Sequence, residues 1–220
     1  MKTTTPIHWI DTFKLWEVYL LITSLTLLLI FFSSNVIISE DLIYNTYEGL
    51  SFSQIEKIID FNNEWSWIGY VITPIILILK YLTITSILYG GIYLVFDERE
   101  FSFSKTLKSV ILADIVFLLA NASKMTYFYF QNSYSLEDIS YFFPLSLTQL
   151  FEVDEVNRYL YYLLQSSNIF EPIYWFVLAW IVSKVTDIDF DKSFNNVMLT
   201  YLPAFFIWVV FVTFMLIKFY

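Results

Sequence analysis

The stretch that decides the fold runs from Trp67 to Phe96 and reads WIGYVITPIILILKYLTITSILYGGIYLVF. An α-helix needs about 20 mostly apolar residues to cross a lipid bilayer, and this stretch exceeds that length. Lys80 is its one charged residue. The sequence therefore predicts a membrane-spanning helix here.

Four more apolar runs flank this stretch, at roughly 15–38, 105–130, 169–184 and 196–219, and the run at 169–184 is short. Hydrophobic residues make up 58% of the chain and charged residues 15%. A soluble domain is about half apolar and about a quarter charged. The runs and the composition together predict one all-α integral membrane domain over residues 1–220, with five transmembrane helices.

Two short segments of the chain read as copies of each other. The segment FSKTLKSVIL at 103–112 aligns without gaps on FDKSFNNVML at 190–199, with identical Phe, Lys, Val and Leu at matched places. Each segment follows one apolar run and opens the next. The sequence therefore predicts a duplicated hairpin, formed by spans two and three and again by spans four and five. Ser104 and Asp191 occupy matched places, and both residue types are good helix N-caps.

The placement of Lys and Arg predicts the orientation of the spans, because these residues are enriched in cytoplasmic loops. Seven of the 12 lie on one side of the predicted domain, at positions 2, 14, 99, 105, 108, 184 and 192. The other side holds Lys57, Arg158 and Lys218. We therefore expect a cytoplasmic amino terminus and a carboxyl terminus outside.

The two longer segments between spans, 39–66 and 132–168, are too polar to cross a membrane. Residues 53–56, SQIE, have the capping-box pattern, and isoleucines at 55, 58 and 59 share one helical face. This pattern predicts a short amphipathic helix over about 54–62 that lies on the membrane surface. Similar apolar stripes within 132–168 predict further surface helices.

Acidic residues dominate these outer segments, and the whole chain has a formal net charge of -9. The simplest interpretation is a solvated surface. The alternative is a face that recruits a basic partner or divalent cations. Nucleic acid is not an expected partner, because nucleic-acid binding relies on Lys and Arg to neutralise phosphates.

Ionisable residues at membrane depth are costly and therefore suggest function. The predicted spans contain Lys80, Asp114, Lys124 and Glu171, and Asn121 lies on the same helical face as Asp114 and Lys124. These five side chains could form a polar stripe that conducts ions or protons. Structural explanations compete with this one. The lysines can snorkel to the interface, Glu171 can cap the fourth span, and Asp114 can pair with the lysine at 105 or 108.

Glycines and prolines inside the spans bear on packing and on mechanism. Gly90 and Gly91 would let another helix approach closely, and we expect Pro74 and Pro203 to kink their helices. Transporters usually carry such interruptions at matched places in both halves. Here the glycines and prolines have no counterparts in the repeat, which argues against alternating access.

No known chemical signature is present in the sequence. The chain has four glycines, one histidine and no cysteine, which leaves no Gly-rich phosphate loop, no His-Glu-x-x-His motif and no Cys pair. We therefore expect no cofactor, no metal site and no enzyme activity.

Two short motifs carry a family resemblance. The chain contains Lys192-Ser193-Phe194 and, in the last span, Tyr201-Leu202-Pro203. These residues resemble the Lys-x-x-Phe…Tyr-x-x-Pro pattern of bacterial Yip-family proteins, although here one residue separates Tyr201 from Pro203. The five spans and tight inner loops are also similar to these small polytopic proteins, over about residues 67–219. The resemblance implies a membrane-embedded interaction or scaffold protein of a bacterial inner membrane, without a catalytic residue.

These expectations favour one function and leave an alternative open. The missing chemistry, the aromatic-rich surfaces and the glycine pair predict an accessory or scaffold subunit that packs in the lipid bilayer beside a larger membrane-protein partner. The alternative is a small transporter or channel subunit that uses the polar stripe.

Overall fold

The computed structural model describes residues 12–95, 102–151, 156–186 and 188–219. Within these ranges the chain is helical, apart from connecting loops and an isolated β-bridge between Ser146 and Asn168. The helices are α1 (Leu15–Phe32), α2 (Glu40–Thr46), α3 (Phe52–Val95), α4 (Phe103–Ala113), α5 (Ile115–Tyr129), α6 (Leu136–Tyr141), α7 (Arg158–Ser166), α8 (Phe170–Thr186), α9 (Phe190–Asn196) and α10 (Leu202–Phe219). A π-helical turn at Ser33–Ile37 extends α1, another at Val197–Tyr201 joins α9 to α10, and a 3₁₀ turn covers Leu147–Leu150.

In the described part of the chain, three helical stretches are long and apolar enough to cross a membrane, Leu15–Ile37, Phe52–Tyr93 and Phe190–Phe219. They correspond to the first, second and fifth predicted spans. The third predicted span is helical but is divided at Asp114 into α4 and α5, and the fourth is the 17-residue α8. The all-helical fold is therefore confirmed, together with three helices that could span a membrane, and the five spans stay a prediction.

The interrupted helices α4 and α5 and the short α8 form the centre of the bundle. α4 packs against α8, α3 and α1, while α5 packs against α1 and α8. The main core contains Val110 and Ala113 of α4 together with Leu178 and Ala179 of α8, each 0% exposed. Because alanine is small, the alanines at these positions let the two helices lie close together.

The second span is much longer than predicted. α3 has 44 residues, or roughly 66 Å at the rise of an α-helix. The predicted surface helix at 54–62 is therefore the first part of α3 and not a separate element. Its buried isoleucines, Ile55 and Ile59, pack on Ile43 of α2. The apolar stripe thus packs against another helix of the chain.

The amino-terminal cap of α3 also differs from the prediction. The backbone N–H and the hydroxyl of Ser51 both donate to Oε1 of Gln54, at 2.9 and 2.8 Å. These bonds form the half of a capping box in which the side chain of the third helical residue accepts from the cap residue, and they lie two residues before the box predicted at 53–56.

The two repeat segments begin helices at matched residues, Phe103 of α4 and Phe190 of α9. The N-caps are Ser102 and Asp189, two residues earlier than the predicted Ser104 and Asp191, and neither cap makes a side-chain hydrogen bond. The copies then diverge, because the second continues into a π-helical turn at Val197–Tyr201.

The segment between α5 and α8 forms a small structure of its own. Ser135 and Asp138 make a capping box at the start of α6. The backbone N–H of Leu147 donates to the carbonyl of Ser167 at 3.0 Å, which ties the 3₁₀ turn to the end of α7. α7 packs on α10, where Trp208 Nε1 donates to the hydroxyl of Tyr162 at 2.9 Å.

The two prolines of the spans occupy different settings. Pro74 lies inside α3, which continues as an α-helix on both sides, and its carbonyl accepts a 2.8 Å hydrogen bond from the hydroxyl of Tyr19. Pro203 is the second residue of α10, in a helix that is continuous from Phe190 to Phe219. Its missing N–H falls where the chain leaves the π-helical turn, so the regular i→i−4 bonding is already interrupted there.

Candidate functional site

The most unusual group in the bundle is a buried ion pair between α3 and the junction of α4 with α5. The Lys80 ammonium contacts Oδ1 of Asp114, and the Tyr81 hydroxyl donates to Oδ2 at 2.6 Å. Asp114 is 4% exposed and Tyr81 is 1% exposed. Two consecutive residues of α3 therefore satisfy both oxygens of one carboxylate.

Asp114 lies at the break between α4 and α5. An acid is tolerated at this buried place because its side chain has partners there. Its backbone N–H donates to the carbonyl of Ile111, and its own carbonyl accepts from the N–H groups of Phe117 and Leu118. An isolated carboxylate in a low-dielectric core is very unfavourable, so a lysine and a tyrosine that neutralise and hydrogen-bond it are required. The break, the ion pair and the tyrosine form one structural unit.

Lys80 is the accessible member of this unit, with 35% of its side chain exposed. Its Nζ lies 4.9 Å from the ring centroid of Phe117 and 5.7 Å from that of Tyr81. Aromatic faces attract cations, and this attraction is stronger where water is excluded. The rings therefore offer the ammonium a second source of stabilisation beside the carboxylate.

Beside the ion pair lies a crevice of about 260 Å³ between α1, α3 and α5. Its wall combines aliphatic side chains with the polar groups of Lys80, Asp114 and Asn121, and it also includes Thr26 and Ser33 of α1 and the adjoining π-helical turn. The amide of Asn121 donates to the carbonyl of Phe117 at 2.9 Å, so part of its hydrogen-bonding capacity is used within its own helix. The crevice thus brings together three of the five residues of the predicted polar stripe.

A second buried acid, Glu171, lies in the first turn of α8. It is 9% exposed, and the hydroxyl of Tyr201 donates to its Oε2 at 3.5 Å, a long hydrogen bond. The cap of α8 is Asn168, whose Oδ1 accepts from the backbone N–H groups of Phe170 and Glu171 at 2.9 and 3.2 Å. The Glu171 side chain thus points into the bundle while Asn168 caps the helix.

A row of aromatic rings connects the two acids. Phe117, which lies beneath the Lys80 ammonium, is 4.8 Å from Tyr174 between ring centroids, and Tyr174 is 5.4 Å from Tyr201. Tyr174 is 0% exposed. This tyrosine therefore lies in the main core of the bundle.

The five polar residues singled out from the sequence are thus distributed over three places. Lys80, Asp114 and Asn121 share the crevice, while Glu171 contacts Tyr201. Lys124 is half-buried on α5 and does not line the crevice. Asp114 pairs with Lys80 and not with the lysine at 105 or 108, and Lys108 donates to the carbonyl of Phe13 at 2.6 Å.

The two adjacent glycines of α3 differ in how closely other side chains approach them. A Cβ on Gly91 would overlap the side chain of Thr200 and come within 2.5 Å of Oδ1 of Asn196, whereas a Cβ on Gly90 would meet nothing within 4 Å. Asn196 is 1% exposed, and its Nδ2 donates to the carbonyl of Leu88 at 3.1 Å. Close approach of α3 to the π-helical turn therefore depends on Gly91 alone.

Sequence reasoning did not single out Tyr81 or Asn196, and it named Tyr201 only as part of a family motif. Tyr81 follows Lys80 directly, so a tyrosine next to an intramembrane lysine was an available signal. No group of three or more His, Cys, Asp or Glu side chains that could hold a metal occurs in the described part of the chain.

Comparison with protein-family models, with curated proteins and with solved structures finds no match for this chain.

Proposed function

We propose that this chain is a non-catalytic, multi-pass membrane protein that serves as an accessory or scaffold subunit of a larger membrane complex. The observation that carries the proposal is the contrast between interior and exterior. Inside the bundle, Lys80 and Tyr81 bind the two carboxylate oxygens of Asp114, so this buried acid holds α3 against the junction of α4 and α5. Outside, α10 presents large apolar side chains to its surroundings.

The exterior of α10 is the surface offered to a partner. Only 6% of the most apolar window of Phe190–Phe219 is buried in the chain, against 28% for Phe52–Tyr93. Its exposed side chains include Phe206, Ile207, Trp208, Val210, Phe211 and Phe214. Aromatic residues are enriched at protein interfaces, and helices in a bilayer associate mainly through side-chain packing.

The proposed arrangement in the membrane has five spans. α4 and α5 together run from Phe103 to Tyr129, roughly 40 Å at 1.5 Å per residue, and α8 extends roughly 25 Å. A hydrocarbon core is about 30 Å thick, so the first is long enough and the second nearly so. The Lys and Arg distribution supports a cytoplasmic amino terminus and an outer carboxyl terminus.

A Yip-like kinship in a bacterial inner membrane and a duplicated hairpin are parts of the same proposal. The repeats support it by starting helices at matched residues, Phe103 and Phe190. Burial supports it too, because Thr106 and Val110 are 0% exposed and their matched residues Ser193 and Val197 are 1% exposed.

Site-specific photo-crosslinking tests the accessory function. A photoreactive phenylalanine analogue replaces Phe211, which is 51% exposed, or as a control Val209 of the same helix, which is 3% exposed. The experiment uses the full chain in its native membrane. We expect a discrete protein adduct from position 211 and none from position 209. Lipid adducts alone at 211, with no stoichiometric partner in native pull-downs, would contradict the proposal.

The crevice beside Lys80 favours one second candidate, a small transporter or channel subunit. A lysine whose side chain is 35% exposed at the middle of a predicted span could contact a passing ion or proton. Flux assays with the full chain in liposomes test this candidate by comparing the unchanged protein with Lys80→Gln and Lys124→Gln. Flux that both variants leave unchanged would eliminate it, and flux lost only in Lys80→Gln would support it.

A further inference from the structure

We propose that the chain binds a small organic ammonium cation in an aromatic pocket formed by the end of α5, by α6, by the 3₁₀ turn and by α7. The pocket has a volume of about 310 Å³ and is separate from the crevice at Lys80. Six of its lining residues are aromatic, Tyr127, Phe128, Tyr134, Tyr141, Phe142 and Tyr161. This site is independent of the accessory function.

The aromatic walls are held in place by one another. Tyr127 stacks on Phe142 with ring centroids 4.3 Å apart, and Tyr141 stacks on Tyr161 at 4.0 Å. The hydroxyl of Tyr134 donates to the carbonyl of Ile37 at 2.8 Å, which fixes that ring to the end of the first span. A site formed from rings already locked in position binds a ligand with little loss of conformational freedom.

The charge of the pocket selects a cation. Among the described residues that line the pocket, Asp138 is the one with a charged side chain. The other polar groups there are two amides, the hydroxyls of Ser133 and Thr148, and the tyrosine hydroxyls. Both hydrogen bonds that Asp138 accepts from Ser135 go to Oδ2. The other carboxylate oxygen, Oδ1, is thus available to a ligand.

Aromatic rings around a carboxylate are the chemistry that recognises alkylated ammonium groups, because ring faces attract the diffuse positive charge while the methyl groups pack against them. The volume lies at the lower end of the range for ligand pockets, which suits a small cation and excludes a long chain.

Isothermal titration of the full chain in nanodiscs with choline tests the proposal, with 3,3-dimethyl-1-butanol as the uncharged analogue of the same shape and glucose as a neutral polar probe. We expect saturable binding of choline and at least tenfold weaker binding of the other two. Equal binding of the two isosteres, preference for glucose, or no choline binding would overturn the proposal.

Variants locate the binding to the pocket. Asp138→Asn keeps the shape of the side chain and should weaken choline binding about tenfold, and Tyr127→Ala should weaken it severalfold while Tyr127→Phe preserves it. Glu137→Gln is the matched control, because it removes a neighbouring charge from a residue that does not line the pocket. Circular dichroism of each variant confirms folding. Equal effects of Asp138→Asn and Glu137→Gln would contradict a specific site.

Discussion

Gly91 of α3 lies against Thr200 of the π-helical turn so closely that any side chain at position 91 would overlap the threonine. The neighbouring Gly90 faces open space. The two adjacent glycines thus differ in their surroundings although the sequence presents them as equivalent.

Gly91→Ala should therefore destabilise the protein by about 1–3 kcal/mol, because the added methyl group overpacks a tight contact between α3 and the turn. Gly90→Ala is the matched control and should be neutral or slightly stabilising, since alanine favours helix more than glycine does. Thermal unfolding in detergent, followed by size-exclusion chromatography, measures both. Equal shifts for the two variants would show that the close contact is absent.

Lys80 and Asp114 should be energetically coupled. Lys80→Met leaves a buried carboxylate with one hydrogen bond, and we expect a loss of between about 1 and 3 kcal/mol, below the value for a fully buried pair because Lys80 is partly exposed. The double variant Lys80→Met/Asp114→Leu should recover much of this loss, because it removes both charges. A double-mutant cycle with the two single variants measures the coupling, and additive effects would argue against the pair.

Tyr81→Phe should destabilise the bundle by about 1.5–3 kcal/mol, because the variant removes a hydrogen bond to a charged group and the carboxylate remains buried. Tyr93→Phe serves as control. Tyr93 is on the same helix but is 54% exposed, so its variant should be close to neutral. Unfolding in detergent compares the two. A neutral Tyr81→Phe would indicate that the tyrosine does not contribute to holding Asp114.

The amino terminus of α3 should depend on Ser51 and not on Ser53. Ser51→Ala removes the hydroxyl contact to Gln54 and should weaken the cap by about 1 kcal/mol, whereas Ser53→Ala should have a smaller effect. Hydrogen exchange of the backbone amides at residues 52–56 detects local fraying at this end. Faster exchange in Ser53→Ala than in Ser51→Ala would favour the capping box predicted from the sequence.

The periodic apolar runs predicted the helices well, because a long apolar run has few structural alternatives. The predicted run at 196–219, for example, is helical throughout in the structure as the end of Phe190–Phe219. The predicted start of the second span, at residue 67, was wrong because α3 begins at Phe52. This difference has a physical reason. Residues 52–66 contain neither glycine nor proline, so nothing ends the helix where the polarity changes.

The partners of the buried polar groups were harder to predict. Choosing Lys80 over a lysine at 105 or 108 as the partner of Asp114 requires the register between two helices, which the sequence of one chain does not contain. The contact of Tyr201 with Glu171 depends on the π-helical turn, since an extra residue in a turn changes the direction of later side chains. Chain composition gives no sign of such a turn.

The five-span arrangement is tested most directly by labelling single cysteines with a membrane-impermeant maleimide in sealed cells and in inverted vesicles. The chain has no native cysteine, so the exposed positions Glu56, Ser104, Glu137 and Asp191 can each be replaced without background. We predict that positions 104 and 191 react from the cytoplasmic side and that positions 56 and 137 react from the other side. Labelling of 104 and 137 from the same side would show that α4 and α5 do not cross the membrane and would contradict the account.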